Sequence, residues 1–259
     1  FGTFVATTKA RNAYLTPQDP DHDEVLAHIS DRYVASVIDD LDLLKTNVDE
    51  RAAHAGGHMY AIRRAQDDMI TDTLWNSGAV DLGPGDGVSL SVDHMLALLQ
   101  DMDEDEVPND GQRFVCVSSP VFNQMIRFPE FSEAEYIGTD GIFGKQAVTA
   151  KQWMGATWLT YHGTPRSADG ATRLARPLKK QPSYAADKAA WKSAKIHHCF
   201  AWHRNDLGWA EQAAPSTSVA LENLMAGHSI VTKAAGGSAV LDLDGVRAFT
   251  VDLNGAAAN

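Results

Sequence analysis

Histidine and cysteine cluster at one place in the chain, where His197, His198 and Cys199 are followed by His203. Imidazole nitrogens and thiolates are the usual zinc ligands, and a site needs three or four of them to converge tetrahedrally. The run Ile196–Trp202 is predicted to be a strand, in which neighbouring side chains point to opposite faces. His197, Cys199 and His203 would share one face, but about 13 Å of straight strand would separate Cys199 from His203. We therefore favour a structural role, and keep a metal-dependent enzyme that uses these three residues as an alternative.

Two acidic runs resemble cation-binding segments. Asp101–Asp105 begins like a calcium loop, but its sixth position is Glu106 instead of glycine and its twelfth is Gln112 instead of glutamate. Alternating aspartates at Asp19–Asp23 could chelate a cation weakly, beside two prolines that prevent a continuous helix or strand. We predict an acidic helix end at the first run and an exposed acidic turn at the second.

Phosphate binding and nucleophilic catalysis are poorly supported. Gly83–Gly87 is rich in glycine but lacks the Lys-Ser/Thr pair of a phosphate-binding loop. Ser118 and Ser119 lie close to Cys116, but neither has a base near it in sequence. Ser119 is instead predicted to cap a helix that has Pro120 at its first position. We expect no enzyme and no cofactor.

A basic segment with aromatic residues between its lysines could contact nucleic acid. Its residues are Lys179, Lys180, Tyr184, Lys188, Trp191, Lys192 and Lys195. A solvated face or a contact between subunits is the competing interpretation. We favour this competing interpretation, with both its alternatives open, over nucleic-acid binding because the flanking regions are strongly acidic.

The charge of the chain is unevenly distributed. The 259 residues carry a formal charge of −12, which divides into −17 for residues 1–144, +9 for residues 145–204 and −4 for residues 205–259. Regions of opposite potential steer association and fix its register. The pattern favours partners of the same sequence, and it predicts that their association weakens as salt rises.

The composition is that of a folded globular chain, with 44% hydrophobic residues. No apolar run approaches the roughly 18–20 residues that span a bilayer, so we expect no membrane protein. No basic segment followed by an apolar run opens the sequence, and we expect no secretory signal in it. Two cysteines are too few for a disulfide framework.

The pattern of elements predicts an α+β fold. Apolar and small residues spaced by three and four predict a helix of about 30 residues from Val48 to Asn76, in which Gly56 and Gly57 indicate a close backbone approach or a bend. Further helices are predicted from Ser91, after Ser119 and around 187–195. Strands are predicted at Arg113–Val117, Trp153–Tyr161, Ile196–Trp202 and Val240–Val251, and a glycine-rich loop or hairpin at Gly138–Ala150.

Several strings, in their order, resemble one known family. Val107–Pro120, which reads VPNDGQRFVCVSSP, is similar to a signature of proline, turn, Gly-x-Arg, apolar strand and Ser-Pro. Phe131–Tyr136 together with Gly141–Gly144 resembles the continuation of that signature. Val37–Asp42 resembles the entry into the family's long spine helix, and Cys199–Gly208 resembles its return strand. The chain thereby resembles, over roughly residues 33–255, the major capsid proteins of tailed double-stranded DNA bacteriophages with the HK97-type fold.

The resemblance implies a domain organisation. Residues 1–35 would be an extended loop that overlies a neighbouring subunit. Residues 36–87 and 196–259 would form a peripheral domain with the spine helix, and residues 88–195 an axial domain.

The resemblance also implies a function. Copies of the chain would assemble into hexamers and pentamers of an icosahedral head, located in the virion, together with portal and scaffold or decoration proteins. The head would enclose double-stranded DNA without sequence-specific binding. The first alternative is an encapsulin-like compartment that encloses a cargo enzyme. The second is the metal-dependent enzyme that would use His197, Cys199 and His203.

Overall fold

The computed structural model of the chain describes residues 24–40, 49–83, 88–132, 150–168, 172–174, 176–177, 179, 181–223 and 226–253. These residues form helices and two separate sheets, which confirms the predicted α+β class. The predicted acidic turn at Asp19–Asp23 and almost all of the predicted loop at Gly138–Ala150 lie outside the described residues.

The longest helix, α1, spans Glu50–Asn76, close to the predicted bounds. The Asp49 carboxylate caps its first turn by accepting a hydrogen bond from the backbone N–H of Ala52 at 3.2 Å. The helix ends before Gly78, whose φ of +74° reverses the chain. Among the described residues nothing lies within 4 Å of the positions that a Cβ would take at Gly56 and Gly57. The first alternative, a close backbone approach, is therefore wrong for this part of the chain, and the bend stays a prediction.

A three-stranded antiparallel sheet lies beside α1. Its strands are β1 (Ser30–Asp39), β7 (Leu207–Glu222) and β8 (Gly227–Val240), in the order β1-β8-β7. α1 packs against the central strand β8 and against β1, so the face that carries Ile38 and Ile230 is buried. Our sequence analysis did not predict the long β7–β8 hairpin.

Six strands form the second sheet. They are β2 (Arg113–Val117), β3 (Ala150–Trp153), β4 (Ala156–Thr160), β5 (Arg166–Ser167), β6 (Ile196–His203) and β9 (Val246–Asp252). β2 and β4 are parallel, and the other pairs are antiparallel. β6 pairs with β2, β5 and β9, and it is buried along almost its whole length. The predicted strands at Arg113–Val117 and Ile196–Trp202 are confirmed.

Two predicted strands are interrupted by turns. The run Trp153–Tyr161 divides between β3 and β4, because Met154 and Gly155 take positive φ values of 50° and 77° and reverse the chain. The run Val240–Val251 likewise contains the end of β8 and most of β9, separated by a turn. Apolar residues continue across both turns, and hydrophobicity alone therefore did not reveal the reversals.

The shorter helices are α2 (Val92–Glu104), α3 (Ser119–Met125), α4 (Pro129–Ser132) and α5 (Tyr184–Ser193). Ser91 caps α2, as predicted. The cap of α3 is Ser118 and not Ser119, because Ser118 has an extended backbone and its hydroxyl accepts from the N–H of Val121. α5 begins three residues before the predicted start at Asp187.

The largest hydrophobic core lies between α2, α3 and the six-stranded sheet. Phe131 is fully buried there and meets the rings of Phe122, Trp153 and Trp158 at centroid separations of 5.7, 5.5 and 6.3 Å. Aromatic pairs in such edge-on arrangements add stability beyond the area they bury. This core holds the six-stranded sheet rigid around β6.

The chain after residue 196 contributes to both sheets. β6 and β9 pair within the sheet that contains β2, whereas β7 and β8 form the sheet beside α1. The predicted division into an arm, a peripheral domain and an axial domain stays a prediction, to which these pairings add a constraint. Among the described helices, none has the length and hydrophobicity to cross a bilayer.

Candidate functional site

The residues of the predicted zinc alternative lie along β6. The described residues contain no group of three or more His, Cys, Asp or Glu side chains that could hold a metal ion, and this includes His197, Cys199 and His203. All three are buried at about 1% exposure or less. The structure therefore places them in the core of the sheet without bringing them together as ligands.

Burial determines the chemistry of His197 and Cys199. Burial, with a smaller contribution from the charge of Arg166, lowers the pKa of His197 to about 4, so its ring is neutral at pH 7. Burial also raises the pKa of the Cys199 thiol above its usual range. A protonated, buried thiol is a poor nucleophile and a poor metal ligand. Cys116 and Cys199 are both free thiols.

His198 and His203 each take part in polar contacts. The Nε2 of His198 lies 2.9 Å from the Ser167 hydroxyl and its Nδ1 lies 3.1 Å from the Thr250 hydroxyl. The ring also meets Trp75 of α1 edge-on, at a centroid distance of 4.4 Å. His203 lies 3.3 Å from a carboxylate oxygen of Asp110. These contacts join β6 to neighbouring elements and explain the histidines as structural.

Three carboxylates of the acidic run at the end of α2 are paired with two buried arginines. Arg247 of β9 contacts the carboxylates of Asp101, at 2.5 Å, and Asp105. Arg113 of β2 contacts Asp103 at 2.6 Å. Carboxylates at a helix C-terminus oppose the helix dipole, and the two guanidinium groups offset that repulsion. The run is an acidic helix end, as predicted, and its charges are used within the chain.

Arg113 and Arg247 are residues whose role sequence reasoning missed. Each stands within an apolar, β-rich run, Arg113 before FVCV and Arg247 before AFTV. A guanidinium in a buried strand needs carboxylates or carbonyls around it. That signal could have assigned the acidic run to these two partners.

Ser119 has a histidine partner that sequence distance concealed. Its hydroxyl lies 3.3 Å from Nδ1 of His162, 43 residues away, at an exposed position. Within the described residues no carboxylate orients His162. The pair therefore lacks the third group that activates a serine nucleophile.

The basic segment is part of an open groove of about 650 Å³ between α1, β1 and α5, which we call the basic groove. Six cations line it: Arg32, Arg64, Arg176, Lys179, Lys188 and Lys192. Tyr184 and Trp191 also line it, with the methionine side chain of Met69. Lys195 lies outside the groove, and Lys180 lies outside the described residues. Arg32 and Arg64 join the groove only through the tertiary structure.

The acidic side chains of the basic groove are already paired. Asp68 contacts Arg176 and accepts a hydrogen bond from the Tyr161 hydroxyl at 2.8 Å. Asp72 contacts Arg173. Burial and the bond to Asp68 raise the pKa of Tyr161, which keeps its hydroxyl protonated as a donor. The groove is therefore net positive.

The three-stranded sheet presents a second accessible surface. Side chains alternate between the two faces along a strand, so Tyr33 and Val37 of β1 lie on the face opposite to Ile38, away from α1. Their side chains are 66% and 50% exposed. β7 is an edge strand of 16 residues, of which 12 are exposed and none is fully buried. Val219 and Leu221 add apolar area on its other face. Such a surface gains from being covered by another chain.

Comparison with known proteins gives one family. A family model described as phage capsid protein matches residues 1–252. No curated protein matches the chain.

Solved capsid structures share the fold. The capsid protein of cyanophage P-SCSP1u is 14% identical, with 100% of this chain and 81% of that chain covered and a TM-score of 0.65. The mature capsid of bacteriophage PhiM1 is also 14% identical, with 96% and 79% covered and a TM-score of 0.60. An encapsulin complex of Synechococcus elongatus is 13% identical, with 88% and 75% covered and a TM-score of 0.56. At these identities the likeness concerns the fold, and it confirms the expected HK97-type architecture.

Proposed function

Because the chain belongs to the phage capsid protein family, we propose that its copies assemble into hexamers and pentamers of an icosahedral head that encloses a double-stranded DNA genome. The protein is a structural major capsid protein and is located in the capsid of the virion. The observation that carries the proposal is the family match over residues 1–252, in a chain whose fold is that of capsid proteins.

The geometry supports self-association. The rigid six-stranded sheet supplies a stable subunit, whereas β7, the outer face of the three-stranded sheet and the basic groove remain accessible. Repeated subunits can cover such surfaces with one another through self-complementary or head-to-tail contacts. A structural role also fits the buried, protonated thiols and the paired carboxylates, and we propose no catalytic activity.

The predicted domains can be restated in terms of the two sheets. We propose that the six-stranded sheet with α2 and α3 forms the axial domain, to which β6 and β9 contribute. The three-stranded sheet with α1 would form the peripheral domain. Portal, scaffold or decoration proteins are proposed as further partners, and the enclosed DNA would be held without sequence readout.

Electron microscopy and sedimentation of the expressed chain test this function. We expect closed shells, capsomers or tubes, and we expect closed shells in the presence of the phage's scaffold protein if it encodes one. A compact monomer at every concentration, with that scaffold protein supplied, would contradict the proposal.

The encapsulin-like compartment remains a second candidate because an encapsulin complex shares the fold at a TM-score of 0.56. The contents of particles purified from their native source distinguish the two. Double-stranded DNA inside the particle supports the phage head. A single protein cargo without DNA would support the compartment.

A further inference from the structure

The basic groove carries positive charge that the described chain does not neutralise. Of its six cations, Arg176 is paired with Asp68. The other five have no carboxylate within salt-bridge distance among the described residues. Lys188 and Lys192 project from the exposed side of α5, four residues apart and therefore on the same face of the helix.

Two acidic runs of the chain could supply carboxylates to this groove. The run at Asp101–Asp105 is held by Arg113 and Arg247. Asp19–Glu24, which reads DPDHDE, carries four carboxylates in six residues. We call it the acidic segment. Outside the acidic run at the end of α2, no other six-residue stretch of the chain carries as many carboxylates.

The described end of the acidic segment is exposed on its own subunit. Glu24 is exposed, and the two apolar residues that follow, Val25 and Leu26, are 46% and 82% exposed. Exposed apolar side chains beside a charged run are typical of a segment that another chain covers. The basic groove offers apolar area for them at Met69 and Trp191.

The dimensions of the groove and the segment agree. The groove follows α1 from Ala61 to Asp72, which corresponds to about 16 Å of helix. Six extended residues reach about 20 Å, and Pro20 within the acidic segment disfavours a helix there. Four carboxylates would face five cations that have no carboxylate partner in the described part of the chain.

We infer that the basic groove is the docking site for the acidic segment of a second copy of the chain. The inference rests on the proposed self-assembly and names a contact that would hold neighbouring subunits in register. A nucleic acid is the less favoured occupant, because Asp68 and Asp72 lie among the groove's side chains and the larger part of the chain is acidic. Complementary charge fixes the register of such a contact and makes it sensitive to salt.

Charge reversal of each side, singly and together, tests the contact. Lys188→Glu with Lys192→Glu reverses the groove, and Asp21→Lys with Asp23→Lys reverses the segment. We expect each pair to raise the protein concentration at half-maximal shell assembly by about tenfold. All four substitutions on one chain should restore assembly to within about threefold of wild type. Lys195→Glu with Arg127→Glu, the same charge change at exposed positions outside the groove and outside the three-stranded sheet, should have little effect.

Mixing distinguishes docking between copies from docking within one chain. A mixture of the groove-reversed and segment-reversed proteins should assemble better than either alone, because each supplies what the other lacks. Rescue on a single chain but not in the mixture would overturn the inference, since it would place the segment in its own groove. An equal loss in the Lys195 and Arg127 control would also overturn it.

A binding measurement keeps the inference testable apart from shell formation. A fluorescent peptide of residues 16–28 should bind wild-type subunits, and the groove reversal should weaken that binding by at least about tenfold. Wild-type shells with neither peptide binding nor any effect of charge reversal would overturn the inference and leave the capsid function standing. Binding of double-stranded DNA oligonucleotides that is lost on groove reversal, without peptide binding, would identify nucleic acid as the occupant instead.

Discussion

Two regions of the molecule gather opposite charges in different ways. At the end of α2, Arg113 and Arg247 are 1% and 4% exposed, and both donate to nearby carboxylates and carbonyls, with one terminal nitrogen of Arg113 left without a partner among the described residues. In the basic groove, Lys188 and Lys192 are exposed and have no carboxylate partner in the described chain. The first arrangement stabilises one subunit, whereas the second is available to a partner.

The two sheets show the same difference. β6 is buried along almost its whole length, while β7 is exposed at 12 of its 16 residues. Substitutions around β6 should therefore change the free energy of unfolding of a subunit. Substitutions around the basic groove and β7 should change association and leave the subunit's stability nearly constant.

Arg247→Met gives the largest expected effect on the subunit. The change leaves the carboxylates of Asp101 and Asp105, and the carbonyls of Leu243 and Asp244, without their guanidinium partner. Losing two charge-assisted hydrogen bonds to these half-exposed carboxylates, together with the bonds to the two carbonyls, costs about 4 kcal/mol in free energy of unfolding. Urea denaturation of unassembled subunits measures this loss.

Lys188→Met is the matched control in the other region. It removes one exposed cation of the basic groove, and we expect the free energy of unfolding to change by less than about 0.5 kcal/mol. Equal losses for Arg247→Met and Lys188→Met would remove the contrast between the two regions.

The second effect concerns pH and comes from His197. Its pKa is lowered from 6.5 to about 4 in the folded chain, so the unfolded chain binds more protons between these values. The contribution of His197 to the free energy of unfolding is therefore fully present above pH 6.5. It falls as the pH drops toward 4, by about 3 kcal/mol in total.

His197→Leu should flatten that dependence, because leucine does not titrate. Denaturation curves at several pH values between 4 and 7 compare the slopes. His28→Leu, at an exposed position, is the control and should keep the wild-type slope. An unchanged slope in His197→Leu would show that the pH dependence arises elsewhere.

The smallest effect is a gain in stability in α1. Gly56→Ala and Gly57→Ala should each stabilise the subunit by about 1 kcal/mol, because alanine favours the helix and open space surrounds both positions. Gly236→Ala in β8 should destabilise it, because a Cβ there would meet the ring of Trp209 and the carbonyl of Ala210. Thermal unfolding of the three variants measures the signs. A loss of stability in both helix variants would mean that the glycines are needed for a bend or for contact with a partner.

Local patterns predicted the elements whose signal lies within a few residues. The cap at Asp49 was not foreseen, but the spacing of apolar residues gave α1 nearly its full length. Arg113–Val117 is a strand because its apolar, β-rich run stands alone between turns. The β7–β8 hairpin escaped prediction because β7 is exposed and carries Pro215 beside irregular pairing with β8, so its pattern is neither apolar nor alternating.

The charge clusters of the candidate sites join residues that are far apart in the sequence, and for that reason they were not predicted. The acidic run and its arginine Arg247 are separated by more than 140 residues, and so no local pattern joins them. Arg32 and Arg64 reach the basic groove for the same reason, through the packing of β1 and α5 against α1.

The sequence by itself determined the α+β class, the long helix, the uneven charge and the resemblance to capsid proteins, because each is written in composition, short-range spacing or ordered motifs. Only the tertiary structure decided which charges are used internally and which remain for a partner. The reason is physical: the strength of a charge interaction depends on burial and on separations of a few ångströms, and both arise when distant segments pack together.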